Sequence, residues 1–270
     1  MQSIMPPAPS IDGMLHRSGG WWQSGSSPHD DLQTLLRLTN HSQSIAVVGA
    51  SGNLLHRAYG ADIDAHDIVI RVNQAPAWPP EAVGRRSTLR VLHQVAFQQT
   101  SGVLQPGEAI VWTGTHLGVD GSPPEWLRGK VTFQPLVDAG LVLAINGSFI
   151  DALSREVIDP LVHGWGRGTF VPSTGFQAIA FAIATSRLLQ SPTPPTVYGF
   201  GACVPCNRYF ACESSGGQGG PEAEGGNGYH PFGYEHDARV AWDRANIIRL
   251  VEPSCDGFPD YADSPPPSPP

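Results

Sequence analysis

Residues 45–76, IAVVGASGNLLHRAYGADIDAHDIVIRVNQAP, decide the fold class. Residues 45–48 are apolar and largely β-branched, the pattern of a buried strand, and Gly49, Ser51 and Gly52 follow at once. At such a turn a phosphate can approach backbone N–H groups with little Cβ obstruction. Residues 67–73 (DIVIRVN) read as a second strand that ends on a polar amide. Ligands of open α/β sheets sit outside the carboxyl ends of the strands, so residues 50–53 and Asn73 are expected to face one crevice.

Working outward, strand-like runs recur at 90–92, 109–112, 141–145 and 196–200, with helical material between several of them. Alternation of this kind predicts a mainly parallel sheet covered on both faces. Residues 176–189 (FQAIAFAIATSRLL) are too long and too continuously apolar for a strand, and read as a buried helix opened by Pro172-Ser173-Thr174-Gly175. Residues 30–38 (DDLQTLLRL) have helical spacing behind acidic residues that suit a helix start. Residues 214–228 (SSGGQGGPEAEGGNG) cannot bury enough apolar surface to offset ordering entropy, so 213–228 is expected to be a mobile loop, and a lid. A helical run to about residue 246 and a short apolar end at 247–251 follow. The expected organisation is a low-complexity tail at 1–28, one catalytic domain at 29–252 and a Pro-rich tail at 253–270.

With 270 residues, 40% of them apolar and 15% charged, the chain can bury one large core. A net charge of -8, with Lys130 as the only lysine, argues against a phosphate-tracking nucleic-acid surface and for a small or sugar-like partner. Cys203, Cys206, Cys212 and Cys255 suit local disulfides or free thiols better than zinc, because no second closely spaced pair completes a tetrahedral set. Two glycosylation sequons begin at Asn40 and Asn146. No stretch of about 18 apolar residues is present, and residues 1–20 lack the basic start and apolar stretch of a signal peptide. Either the protein is soluble or an N-terminal anchor is missing from the sequence.

Each chemical motif has a competitor. The turn at 49–53 looks like that of short-chain dehydrogenases, but those need a Tyr-x-x-x-Lys pair, and Trp126 stands four residues before Lys130. A serine hydrolase is poorly served, because Gly49-Ala50-Ser51-Gly52 lacks the G-x-S-x-G spacing. Asp62-Ile63-Asp64 is a D-x-D triplet of the kind that holds a divalent cation, yet it precedes the second strand and equally suits a turn or helix cap, the reading preferred here. Pro172-Ser173-Thr174-Gly175 has N-cap chemistry, and the same free N–H groups suit an anion. His230, flanked by Gly-rich sequence, is the best candidate general base, with His236 as its rival.

Together these segments resemble the animal-type sialyltransferase family, which is CMP-sialic acid dependent and carries L, S, III and VS motifs. Residues 45–94 look like the L motif, and 172–201, from PSTG to YGFG, are similar to the S motif. His230-PFGY-Glu235 matches the His-x4-Glu of the VS motif, whereas Ala241 occupies the Glu position counted from His236. Motif III is matched loosely by Arg208-Tyr209-Phe210-Ala211. Ile45 and Ser186 stand where the family has a cysteine pair, and Ala50 stands where an Asn is usual.

The resemblance implies a modified Rossmann-like α/β/α sandwich, single-domain, with a mainly parallel central sheet. It implies inverting transfer of sialic acid from its CMP donor to a glycan hydroxyl, with no metal and no cofactor beyond that donor substrate. Asn53, Asn73, Ser173, Thr174, Gly175 and Tyr209 are then donor-binding residues, with Tyr209 on the phosphate side. His230 is catalytic, and Ser51, Gly52 and Glu235 support the motifs. The implied partners are a CMP-sugar and a glycan, not nucleic acid, with a membrane only through an anchor outside this sequence; the implied compartment is the Golgi lumen. Two alternatives stay open: a CMP-binding module without transfer activity, and a transferase of another CMP-linked acid sugar.

Overall fold

Short apolar runs become the central strands of one sheet because both faces of those strands are buried. In the computed structural model, which describes residues 44–93, 105–113, 142–144, 172–201, 209, 230 and 232–252, seven strands are present. They are β1 (Ile45–Val48), β2 (Ile68–Val72), β3 (Leu89–Leu92), β4 (Ala109–Trp112), β5 (Val142–Ala144), β6 (Thr196–Tyr198) and β7 (Arg249–Val251). Their order is β5-β4-β3-β2-β1-β6-β7, and every neighbouring pair is parallel. The chain steps outward from β1 to β5 and then returns to the other side of β1. The topological switch point therefore lies between β1 and β6, where an open parallel sheet leaves a crevice.

Alternation along each strand sorts the core into two layers. Ile45, Val47, Ile68, Ile70, Leu89, Val91 and Val197 pack on one face with α3 (Thr174–Leu188) and with Ala238 and Trp242 of α4 (Phe232–Arg244). Ala46, Val48, Val69 and Tyr198 pack on the other with residues of α1 (Gly60–Asp64) and α2 (Pro80–Val83). The sandwich is thus α/β/α, as expected. Helix α3 is buried almost all round, which is why its sequence shows little amphipathic pattern. Helix α4 instead buries one stripe, Glu235, Ala238, Arg239 and Trp242, and its Trp242 ring stacks on Phe176 of α3 at 5.0 Å.

The expected strand at 196–200 stops at Tyr198, because Gly199 turns the chain with φ of 76°. The apolar end at 247–251 supplies β7. The helix expected at 30–38, both tails, the Gly-rich loop at 213–228, the four cysteines and both sequons lie outside the described residues. No described helix is long and apolar enough to cross a membrane.

Candidate active site

At the switch point the loops after β1 and β6 are sewn together. The N–H groups of Gly49 and Ser51 donate to Tyr198 O (2.8 Å) and Gly199 O (3.0 Å), and the Ser51 hydroxyl donates to Gly201 O. A Cβ on Gly49 would lie 2.3 Å from Gly199 O, so only glycine permits this approach. The next donors are also engaged: Asn53 N–H bonds Ser51 Oγ (3.3 Å) and Leu54 N–H bonds Ser51 O (3.2 Å), closing the short 3-10 turn Gly52–His56. Of the N–H groups expected to face a phosphate at 49–53, those of Gly49, Ser51 and Asn53 are therefore engaged within the protein. The glycines serve close packing of two loops, and Ser51 and Gly52 shape the turn. What the turn presents instead is the Asn53 side chain, fully buried, whose Nδ2 and Oδ1 have no hydrogen-bond partner among the described residues. A buried polar group without a partner is costly, which makes Asn53 a candidate for a ligand contact.

Asn73, just past β2, takes a left-handed φ of 49°, which Asn tolerates better than most residues. Its N–H donates to Val91 O (2.9 Å), its carbonyl accepts from Arg90 Nη1 (2.7 Å), and its Oδ1 accepts from His93 N–H (3.1 Å). Among the described residues its amide NH2 meets no acceptor, so Asn73 can offer a donor to an acceptor atom of a ligand. Behind it stand three buried charges that apolar patterning missed. Arg71 and Arg90 are register partners on β2 and β3, and the Glu108 carboxylate meets Arg90 Nε at 3.0 Å, with both side chains fully buried. Arg71 donates to the carbonyls of Val83, Gly84 and Arg86, and burial holds its guanidinium below the ordinary value. Arg90 also reaches Ala75 O (2.8 Å). The two arginines thus fix the loops beyond β2 from beneath.

The third wall is the start of α3. Ser173 caps the helix, its Oγ accepting from Phe176 N–H at 3.2 Å. Its own N–H and hydroxyl donate to the two oxygens of Glu235, each at 2.6 Å, which joins α4 to this helix end. Ser173 is therefore committed to Glu235, and the donors the helix end offers to a ligand are the N–H groups of Thr174 and Gly175. Burial raises the Glu235 pKa, against the lowering effect of its bonds to Ser173. Glu235→Ala strands the Ser173 N–H and should cost about 1–3 kcal/mol, read as a lowered urea midpoint.

Through Glu235 the segment before α4 is anchored, and His230 lies on it, five residues upstream, with its ring against Phe232 at 5.6 Å between centroids. His93, at the carboxyl end of β3, was not among the sequence-derived candidates. Its pKa is lowered by burial and, secondarily, by the nearby His230. Tyr209 is fully buried: its N–H donates to Ala50 O (3.0 Å) and its hydroxyl donates to Pro76 O, so it ties the β1 and β2 loops together. Burial, opposed by Arg71 and Arg90, pushes its hydroxyl pKa up to about 12. The Asp62-Ile63-Asp64 triplet takes the capping role: Asp64 accepts from Arg85 N–H and Arg86 N–H at 2.9 Å. Among the described residues no group of three or more His, Cys, Asp or Glu is arranged to hold a metal ion.

An all-parallel sheet whose switch point gathers amides and helix N–H donors near an imidazole defines an α/β protein suited to an anionic small molecule. The chain belongs to glycosyltransferase family 29, the sialyltransferases: the family model matches residues 26–209. That match ends short of the His230–Glu235 segment. Human CMP-N-acetylneuraminate-beta-galactosamide-alpha-2,3-sialyltransferase 1 is 29% identical over 220 residues, and its mouse counterpart 30% over 222. Each alignment covers 77% of this chain but 58% of the relative, so the chain spans little more than half the length of these relatives. A human alpha-2,6-sialyltransferase is 44% identical over 85 residues, 31% of this chain and 26% of that one. A crystal structure of a mammalian sialyltransferase with Gal-beta-1-3GalNAc-ortho-nitrophenol shares the fold, with a TM-score of 0.52 at 21% identity over 93% of this chain and 92% of that one.

Proposed function

We propose that this chain transfers sialic acid from a CMP-linked donor to a glycan hydroxyl, with inversion and without a metal. The observation that carries this reading is the pair of bonds from Ser173 to Glu235, which ties the segment bearing His230 to the anion-suited start of α3. In the proposed mechanism Asn73 NH2 and the Thr174 and Gly175 N–H groups hold the anionic groups of the donor, and Asn53 contacts it beside them. The neutral imidazole of His230 accepts the proton of the acceptor hydroxyl. The oxygen so freed attacks the anomeric carbon, and CMP departs from the opposite face through an oxocarbenium-like transition state. No step requires a bound cofactor beyond the donor. The names of the relatives put galactosides first among the glycans to try, and the Golgi lumen is the compartment that fits this role.

The test is incubation of the purified chain with CMP-sialic acid and a galactose-ended glycan in excess EDTA. Sialylated glycan and free CMP are the expected products. Thermal shift with CMP but no product would favour a binding module, product only with another CMP-linked acid sugar would change the donor, and a shift with NAD alone would overturn the reading. Saturation at about 100 times Kd stabilises by about 2.7 kcal/mol, enough to detect.

A further inference from the structure

Three neighbouring strands, β1, β6 and β7, deliver Asn53, Gly201 and Glu252 to the same end of the sheet. A Cβ built on Gly201 would lie 2.6 Å from Asn53 Nδ2 and 3.4 Å from Glu252 Cδ. The missing side chain of Gly201 is thus what lets an amide and a carboxyl group converge over one backbone position. Neither group is satisfied: Asn53 Nδ2, Asn53 Oδ1 and Glu252 Oε1 are buried, with no hydrogen-bond partner among the described residues. Glu252 has two cationic or titratable neighbours on α4, Arg239 Nε at 3.9 Å and His236 Nδ1 at 4.0 Å. Both lie beyond hydrogen-bond distance, so neither fills its lone pairs, while Arg239 offsets its charge. Arg239 directs another nitrogen to Phe200 O at 3.2 Å, which holds the guanidinium where it is. The Glu252 side chain keeps 17% exposure, so the pair is open to solvent on that side.

A ligand that satisfies these three atoms must donate to Asn53 Oδ1 and Glu252 Oε1 and accept from Asn53 Nδ2. A phosphodiester or an ionised carboxylate cannot donate and would be repelled by Glu252; an apolar group would leave all three atoms unpaired. Two adjacent hydroxyls meet every requirement. We propose that Glu252, together with Asn53, binds the ribose diol of the donor nucleotide and makes the site selective for ribonucleotides over deoxyribonucleotides. This rests on the CMP-donor reading. The phosphate then lies on the far side of Asn53, toward the start of α3.

Calorimetric titration of the full chain with CMP, its 2′-deoxy form and its 3′-deoxy form tests the assignment. The wild type should bind CMP about 10- to 100-fold more tightly than either deoxy form. In Glu252→Ala and in Glu252→Gln, which keeps the shape without the charge, CMP affinity should fall toward that of the deoxy forms while theirs changes little. A wild type that binds all three equally overturns the proposal, as does undiminished discrimination in both folded variants. If CMP does not bind at all, the donor reading falls and takes this subsite with it, whereas CMP binding without discrimination overturns the subsite alone.

Discussion

Under the proposed transfer reaction, His230→Ala should lower kcat/KM by about 10²- to 10⁴-fold, the range that removal of a positioned general base produces. The expectation rests on placement. His230 sits just before α4, its carbonyl accepts from Phe232 N–H at 3.1 Å, and Glu235 one turn into that helix is held by Ser173. The buried Phe176–Trp242 stack keeps the two helices in that relation. Because the base acts in the transition state, the loss should fall on kcat more than on donor binding, and CMP titration should report a nearly unchanged affinity. Near-normal turnover in His230→Ala, with the loss found in His236→Ala instead, would falsify the assignment and move the base onto the exposed face of α4.

Glu108→Ala should destabilise the fold by about 3–5 kcal/mol, the cost of leaving a buried partner charge uncompensated. Arg90 and Glu108 meet at 3.0 Å with no side-chain exposure, and Arg71 lies beside Arg90 across the β2–β3 pair. Without Glu108 two adjacent buried guanidinium groups would lose the carboxylate that meets Arg90 directly. Ser87 Oγ and Gln105 N–H would lose their acceptor as well. Since a domain of this kind is stable by about 5–15 kcal/mol, the change removes a large share, visible as a lowered guanidinium midpoint. A second effect reaches the site. Arg90 holds the carbonyls of Asn73 and Ala75, so CMP affinity should fall even where the variant remains folded. A variant with an unchanged midpoint would show that the pair is replaceable by solvent.

Much of the scaffold was legible because it depends on local pattern. β1, β2 and β4 followed from apolar runs, since strands buried on both faces have no polar side to interrupt them. Helix α3 was legible for the same reason in longer form, and Ser173 at its start has the side chain that caps a helix. The sequence singled out Asn53 and Asn73 and the spacing of His230 and Glu235, but assigned the Gly49–Gly52 N–H groups to a ligand when the β6 loop takes those of Gly49 and Ser51. Arg90, His93, Glu108 and Glu252 drew no notice. Arg90 looks like an interruption in an apolar strand, and its partner lies 18 residues away on the approach to another strand.

By itself, then, the sequence determined the α/β class, the buried helix and the family resemblance, because hydrophobic period, capping and turn chemistry act over a few residues. Only the tertiary structure decided which polar groups are left over for a ligand. Ser173 and Glu235 are 62 residues apart, and Ser51 and Gly201 are 150 apart. Whether a donor is free or already engaged depends on carbonyls and carboxylates delivered by other strands and helices, and no local pattern carries that information.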